Sequence, residues 1–247
     1  MKGLILAAGY GTRLYPLTLD RPKVLVKVGG QTILERLLGK FEKIEDCDEV
    51  YIVTNGKFYE LLMMWMKGRA FSVNVKVIND MTLSNDDRLG AIGDIDLVLE
   101  KAKIQEDVLI VAGDNLFDFD IRDFVEFSRA NGKFSVALYD VKDRNLARKY
   151  GTVSLDKEFK VCDFEEKSPD PKSTLASTGI YYMPGSKAAL LKEYMQTDLT
   201  KDAPGNFVKW VAENDAVFGY VFTTGWYDIG DKNSLEKADV EYRTKEL

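Results

Sequence analysis

Four short runs of this chain, KGLILAAG, EVYIVTN, VNVKVIN and DVLIVAGDN, are almost continuously apolar. A strand of that composition needs cover on both faces, which is the condition inside a sheet flanked by helices. Between the runs, TILERLLGKFEKI, KFYELLMMWMKGR and IGDIDLVLEKAKI carry apolar residues at helical spacing. The alternation predicts an α/β fold with a doubly wound, mixed and mostly parallel sheet, Rossmann-like in plan. Ligands of such sheets bind outside the carboxyl ends of the strands, where the glycine loop AAGYG and the segment GDN both fall.

After about residue 134 the pattern changes. FSVALYDV, GTVSLD, KVCDFEEK and STGIYYMP read as strands with short links, which predicts antiparallel additions to the same sheet. KAALLKEYM and GNFVKWVAEN read as helices, followed by a strand FGYVFTT, the loop WYDIGD and a last helix. No linker rich in Pro, Gly or Ser divides the halves, so residues 1–247 are expected to form one domain with subregions 1–133 and 134–247.

Composition removes several classes of chemistry. The chain contains no histidine, which excludes Ser-His-Asp and Cys-His catalysis and His-ligated zinc. Any metal must then be a hard cation held by carboxylates. Cys47 and Cys162 lie far apart without a partner motif and are expected to be two reduced thiols. A formal net charge of −6 argues against a nucleic-acid or anionic-membrane partner. No apolar run reaches membrane-span length, and the opening MKGLILAAG ends in a glycine loop, as a buried strand does and a signal peptide does not. A cytoplasmic location is the expectation. MMWM at 63–66 sits at helical spacing and is expected in the core, EKIEDCDE is expected to be a solvated helix end and turn, and of Tyr181 and Tyr182 one should face the core and one the cleft.

The glycine loop is neither of the two best-known phosphate loops. A dinucleotide fingerprint requires a third glycine where Leu14 stands, and an acid about twenty residues on, where the chain reads VGGQT. A Walker A loop counted from Gly9 fails at Leu14 and Tyr15. What remains is G-x-G-T-R-L-x-P-x-T followed by P-K. That arrangement suits a triphosphate: Gly9 and Gly11 let backbone N–H groups turn inward, Thr12 adds a hydroxyl, Arg13 a forked cation and Lys23 a second charge.

This loop, GYGTRLYPLTLDRPKVLVKV, resembles the signature of the sugar-1-phosphate nucleotidylyltransferases, with Gly9, Gly11, Thr12, Arg13, Leu14, Pro16, Thr18, Pro22 and Lys23 in place. Five further motifs follow in family order: LGAIGD at 89–94 resembles its nucleobase segment, AGDN at 112–115 a metal motif, FEEKS at 164–168 a sugar-phosphate motif, STGIYYM at 177–183 its T-G-x-Y segment and WYDIGD at 226–231 a second metal motif. The resemblance implies a GT-A-like nucleotidyltransferase fold in a short form without C-terminal extension, as a monomer or simple homodimer. It implies that a sugar 1-phosphate oxygen attacks the α-phosphorus of a nucleoside triphosphate and expels pyrophosphate, with neither nucleic acid nor membrane as partner.

In that scheme Asp114 and Asp228, each at the end of a predicted strand in a glycine-flanked loop, would hold Mg²⁺. Arg13 and Lys23 would neutralise the phosphates, and Arg13, Lys23 and Asp114 are the catalytic candidates. Ala8, Gly9, Gly11, Thr12, Arg13, Lys23, Asn79, Asn85, Asp87 and Gly90 would bind the nucleotide from subregion 1–133. Asn115, Gly151, Glu166, Lys167 and Thr178 would bind the sugar phosphate, chiefly from subregion 134–247.

Two departures from the family pattern stand out. EEKS replaces EEKP, with Pro169 one residue late, and IND at 78–80 stands where thymidylyl-type members carry a glutamine-proline segment. The base is left open: Asp86, Asp87, Asn79 or Asn85 could read it by hydrogen bonds or could cap the next helix. Glucose 1-phosphate with dTTP or UTP is the favoured pair. Alternatives are guanylyl transfer to mannose or heptose 1-phosphate, cytidylyl transfer to phosphocholine or an inositol phosphate, a GT-A glycosyltransferase, and a non-catalytic homologue that binds nucleotide sugars.

Overall fold

The computed structural model describes residues 1–245. In chain order the strands are β1 (Lys2–Leu6), β2 (Lys27–Val28), β3 (Gln31–Thr32), β4 (Glu49–Thr54), β5 (Asn74–Asn79), β6 (Val108–Ala112), β7 (Asn115–Phe117), β8 (Phe134–Asp140), β9 (Gly151–Leu155), β10 (Val161–Glu166), β11 (Leu175–Met183), β12 (Val217–Phe222) and β13 (Trp226–Asp228). The helices are α1 (Ile33–Phe41), α2 (Tyr59–Met66), α3 (Gly90–Ala102), α4 (Ile121–Asn131), α5 (Arg144–Ala147), α6 (Ala188–Met195), α7 (Pro204–Asn214) and α8 (Lys232–Lys245).

The four apolar runs become β1, β4, β5 and β6, all parallel in the order β6-β1-β4-β5. β11 joins β6 antiparallel and carries the additions from the second half: β9 and β10 beyond it, and β8 with β12 off the main path. The sheet is thus doubly wound and mixed, with a parallel core and antiparallel additions. β12 lies parallel to β8.

Side chains alternate between two apolar layers because successive strand residues point to opposite faces. Ile5, Ile52, Leu109, Val111 and Ile180 pack with α1, α4 and α8, whereas Leu4, Tyr51, Val53, Ile110 and Tyr181 pack with α3, α6 and α7. Local chemistry sets the helix ends. Thr32 Oγ1 accepts from Glu35 N at 3.1 Å while Glu35 accepts from Thr32 N at 2.8 Å, which opens α1 with a capping box. Gly132, at φ 61°, closes α4 in the left-handed conformation.

From β1 the chain winds outward to β4 and β5, then returns through α3 to β6 on the other flank of β1. That reversal makes the gap between the carboxyl ends of β1 and β6 the switch point at which open α/β sheets bind ligands. The two strand ends meet closely there: Gly113 N donates to Leu6 O at 2.8 Å. A Cβ on Gly113 would stand 2.6 Å from that same oxygen, so only glycine permits the approach.

MMWM is not core. Met63 and Met64 are exposed, Trp65 and Met66 are half-buried, and Leu62 is the buried residue of α2. The helix packs on the sheet edge by one narrow face, so its apolar composition exceeds what it buries. The acidic segment before β4 is also more engaged than expected, since Asp46 pairs with Arg129, and Asp48 and Glu49 pair with Lys2. Tyr181 lines the cleft at the switch point, and Tyr182 is buried with its hydroxyl on Asp107. Cys47 is buried and Cys162 exposed, both free. Among the described residues no helix is long and apolar enough to cross a membrane.

Candidate active site

The signature loop leaves β1 over the switch point. Asn55 Nδ2 donates to Ala8 O at 2.7 Å, and the buried Tyr10 ring anchors the loop against Phe58. Gly11 adopts φ 62° and its carbonyl accepts from Leu14 N at 2.9 Å and Thr18 Oγ1 at 2.7 Å. That left-handed residue turns the chain into a 3₁₀ turn, Thr12–Leu14, which brings the Arg13 guanidinium into the cleft. Lys23 opens a second such turn, Lys23–Leu25, directly after Pro22, and reaches the same cleft from the other side.

On the opposite wall, β7 pairs antiparallel with β13, placing Asp228 opposite Asn115 and so next to Asp114. Ile229 N donates to Asp114 O at 2.9 Å, locking the two acidic loops together. Lys23 Nζ lies 3.0 Å from Asp114 Oδ2, and Asn115 Nδ2 donates to Asp114 Oδ1 at 3.1 Å. Burial opposes ionisation of Asp114, yet the charge and hydrogen bond of Lys23, with Arg13 behind them, hold its carboxyl below the usual range. Among the described residues the Asp228 carboxyl has no such hydrogen bond or ion pair. Burial and then the charge of Asp114 push it up to about 6, against the pull of Lys23 and Arg13. The cleft floor therefore holds two neighbouring carboxylates, one paired with Lys23 and the other held up by burial and by its neighbour's charge.

The far end of the cleft is built by the second half of the chain. Glu166 is wedged between two backbones: a Cβ on Gly151 would lie 2.9 Å from its Oε2, and one on Gly205 2.5 Å. Burial raises the Glu166 carboxyl, and Lys167 pulls the other way. Lys167 sits at φ 48°, and its N–H donates to Tyr150 O at 3.1 Å. Thr178 lines the wall with its hydroxyl committed to Ala137 O at 2.8 Å. Trp226 donates from Nε1 to Asn115 Oδ1 at 2.6 Å and meets the Tyr150 ring edge-on at 5.0 Å.

One cleft of about 410 Å³ thus brings together Ala8, Gly9, Arg13, Lys23, Gly90, Asp114, Asn115, Gly151, Glu166, Lys167, Thr178 and Asp228. Gly11 and Thr12 shape the loop without lining that cleft. The base candidates lie outside it. Asn79 accepts from Met81 N, Asn85 is exposed, and the Asp87 carboxylate accepts from Leu83 N, Ser84 N and Ser84 Oγ, which makes it a turn residue in this structure. A larger hollow of about 1260 Å³, lined by Lys40, Trp65 and Phe117 among others, contains none of the predicted site residues.

The cleft also contains Arg88, Tyr150 and Asp202, which no sequence motif marks, and Asp94 and Trp226, which the sequence offers only as members of LGAIGD and WYDIGD. Arg88 grips Asp202 with two hydrogen bonds, 2.9 and 3.0 Å, tying the loop before α3 to the segment before α7. No local pattern reveals a pair 114 residues apart. Asp94 did leave a signal, being an acid among the buried residues Ile92, Ile95 and Val98 of one helix.

An open α/β sheet thus carries a cation-bearing glycine loop and paired carboxylates at its switch point, where sheets of this kind bind their ligands. The chain belongs to the nucleotidyl transferase family, whose model matches residues 2–245. It is 27% identical over 254 residues to the bifunctional protein GlmU of Methanocaldococcus jannaschii, covering 99% of this chain and 57% of that protein. It is likewise 27% identical to the bifunctional protein GlmU of Methanococcus aeolicus, covering 97% and 54%. The chain therefore spans little more than half the length of these relatives. In structure it is similar to a Bacillus anthracis protein assigned as a glucose-1-phosphate thymidylyltransferase and solved with a sucrose, at TM-score 0.84, 25% identity and 98% and 95% coverage. It shares its fold with a UDP-glucose pyrophosphorylase solved with UDP-glucose, at TM-score 0.82, 20% identity and 99% and 98% coverage.

Proposed function

We propose that this chain transfers a nucleoside monophosphate from a nucleoside triphosphate to a sugar 1-phosphate, with glucose 1-phosphate and dTTP or UTP as the favoured pair. The observation that carries the reading is the cluster of Arg13, Lys23, Asp114 and Asp228 at the switch point, with the Glu166 and Trp226 wall beyond it. Two strongly anionic reactants must meet there, so the site's task is charge neutralisation and alignment. A phosphate oxygen of the sugar 1-phosphate forms a bond to the α-phosphorus as the bond to the bridging oxygen breaks, and pyrophosphate leaves with that oxygen.

Lys23 leaves Asp114 to meet the α-phosphoryl oxygens, and Arg13 steadies the departing pyrophosphate. Lys167 holds the sugar phosphate, while Glu166 accepts from sugar hydroxyls. Trp226, fixed by its bond to Asn115, offers a flat apolar face for the sugar ring.

Among the described residues no group of three or more His, Cys, Asp or Glu side chains forms a ready metal cage. Two carboxylates that repel each other in a buried cleft nevertheless fit Mg²⁺, which commonly takes one or two carboxylates and completes its shell with phosphate and water. When bound between Asp114 and Asp228 it would neutralise charge on the phosphates.

Pyrophosphate release tests the reading. Purified protein with Mg²⁺ is assayed with ATP, CTP, GTP, UTP and dTTP against glucose, mannose, N-acetylglucosamine and heptose 1-phosphates and phosphocholine. Release that requires both substrates and is lost in Asp114→Asn is the expected result. Release from phosphocholine alone would move the acceptor outside the sugars, and no release from any pair by folded protein would refute the transfer.

A further inference from the structure

Beneath the signature loop lies a second acidic pair that this chemistry does not use. Asp80, at the carboxyl end of β5, and Asp94, one turn into α3, are each only 6% exposed. Each carboxyl lies within hydrogen-bonding reach of the other. Asp80 also accepts from Thr82 N at 2.7 Å and from Thr82 Oγ1 at 2.9 and 3.1 Å. Asp94 Oδ1 is buried and has no donor among the described residues. Beyond Thr82 the chain of bonds continues to the signature loop, where Tyr10 Oη lies 3.1 Å from Thr82 Oγ1.

Proton counting sets the direction of every bond. Asp80 already takes the Thr82 N–H and the one Thr82 hydroxyl proton, so Tyr10 must donate to Thr82. The contact between Asp80 and Asp94 then needs a proton of its own, because two buried carboxylates cannot bond without one. Among the described residues no cation substitutes for it. The charged or titratable groups acting on the pair are Tyr10, from the loop after β1, and Asp87, from the loop before α3. The neighbouring cations are turned elsewhere: Arg88 to Asp202, Lys192 of α6 to Asp96 and Glu100, Lys201 to Tyr194 and Thr197, and Lys101 to Asn79 O. Lys209 and Glu213 of α7 are exposed, and β4 ends beside α3 in the buried, uncharged Thr54.

We propose that Asp94 and Asp80 share a single proton, and that this acid pair is a positioning element which holds the signature loop, through Thr82 and Tyr10, against the first turn of α3. Burial and then the charge of Asp80 push the Asp94 carboxyl up to about 8, so the proton is in place at neutral pH. The elements it joins are the two that flank the nucleotide end of the cleft, since Gly9, Gly90 and Asp94 all line it. Ionisation of Asp94 sets two negative charges in buried contact and loosens the loop that must cradle the phosphates. The loop's role in holding a nucleoside triphosphate rests on the function proposed above; the shared proton does not.

Asp94→Asn is the test, because the amide donates to Asp80 as the acid does and does not titrate. Infrared spectroscopy at pH 7 should show a protonated-carboxyl band in the wild-type chain that Asp94→Asn lacks. Binding of a non-hydrolysable triphosphate, and KM against kcat, are followed between about pH 6.5 and 9.5. In the wild type Kd and KM should rise about tenfold per unit above about pH 8 while kcat stays level, and in Asp94→Asn they should stay flat. Tyr10→Phe, which breaks the far end of the chain, should weaken nucleotide binding at pH 7 and leave the carboxyl band in place. No carboxyl band in the wild type, or an alkaline loss of binding that persists in Asp94→Asn, would overturn the proposal alone. A folded chain that binds no triphosphate at any pH would refute the functional reading and with it the role of the loop.

Discussion

Replacing Lys23 by methionine keeps the length of the side chain and removes the charge that holds Asp114. The ion pair spans 3.0 Å, with 15% of the Lys23 and 31% of the Asp114 side chain exposed. Breaking a fully buried pair costs about 3–5 kcal/mol. Partial exposure lowers that here to roughly 1–3 kcal/mol. For a chain of this length such a loss lowers Tm by about 2–12 °C.

The sign with pH follows from Asp114, whose carboxyl is held below its ordinary range. Its stabilisation is present above the unfolded value, about 3.9, and is lost as the pH falls through the lower folded value. The gap between wild type and Lys23→Met should therefore be full at pH 7 and close in strong acid. Mg²⁺ should raise the Tm of the variant more than that of the wild type, because the freed carboxylates no longer have lysine as a competitor. Nucleotidyl transfer should fall by about 10²–10³, the usual cost of one electrostatic contact to a transition state. Calorimetry over pH and Mg²⁺ concentration, with initial rates, measures all three. A variant within about 1 °C of wild type at pH 7, or with transfer reduced less than about tenfold, would refute the pairing argument.

Other substitutions have equally definite outcomes. Gly90 lies at φ 78°, where a Cβ would meet Lys201 O at 2.6 Å and Asp202 Cα at 2.8 Å; Gly90→Ala should cost at least about 2 kcal/mol in denaturant unfolding. Trp226→Phe keeps the ring and loses the bond to Asn115, so KM for the sugar 1-phosphate should rise about fivefold while KM for the triphosphate holds. Asp94 is an acid raised on folding, so its burial costs nothing in strong acid, and the cost grows as pH climbs from the unfolded value towards about 8. Asp94→Asn should therefore gain thermal stability over wild type through that window, and its melting curve should cross to the favourable side before pH 7.

The parallel core was legible because β1, β4 and β6 are covered on both faces, which demands continuous apolar runs no loop tolerates, while the edge strand β5 is only half-buried and follows them by Val75, Val77 and Ile78. That Gly9, Arg13, Lys23, Asp114 and Asp228 meet in one cleft follows for a related reason: they stand at turns that strand ends make rigid, so spacing along the chain converts into position. The segment between β5 and α3 was not legible. Its polar residues bond to one another and to the backbone, Asp87 to Leu83 and Ser84 and Asn79 to Met81, and composition does not reveal which polar group is free. MMWM misled because apolar periodicity reports what a helix can bury, and α2 meets the sheet over too little surface to bury it. The grip of Arg88 on Asp202 depends on where two loops arrive after the whole sheet has formed.

The central claim is that the cleft between β1 and β6 joins a nucleotide to a sugar phosphate. Phosphorus-31 NMR of the protein with Mg²⁺, a triphosphate and glucose 1-phosphate tests it most directly. The account predicts that the α-phosphorus and sugar-phosphate signals convert together into a pair of diphosphate-diester doublets as free pyrophosphate appears in equal amount, and that Asp114→Asn abolishes the change. Nucleoside diphosphate with inorganic phosphate, or nucleoside monophosphate with pyrophosphate while glucose 1-phosphate is unchanged, would contradict it, since either makes water and not the sugar phosphate the acceptor.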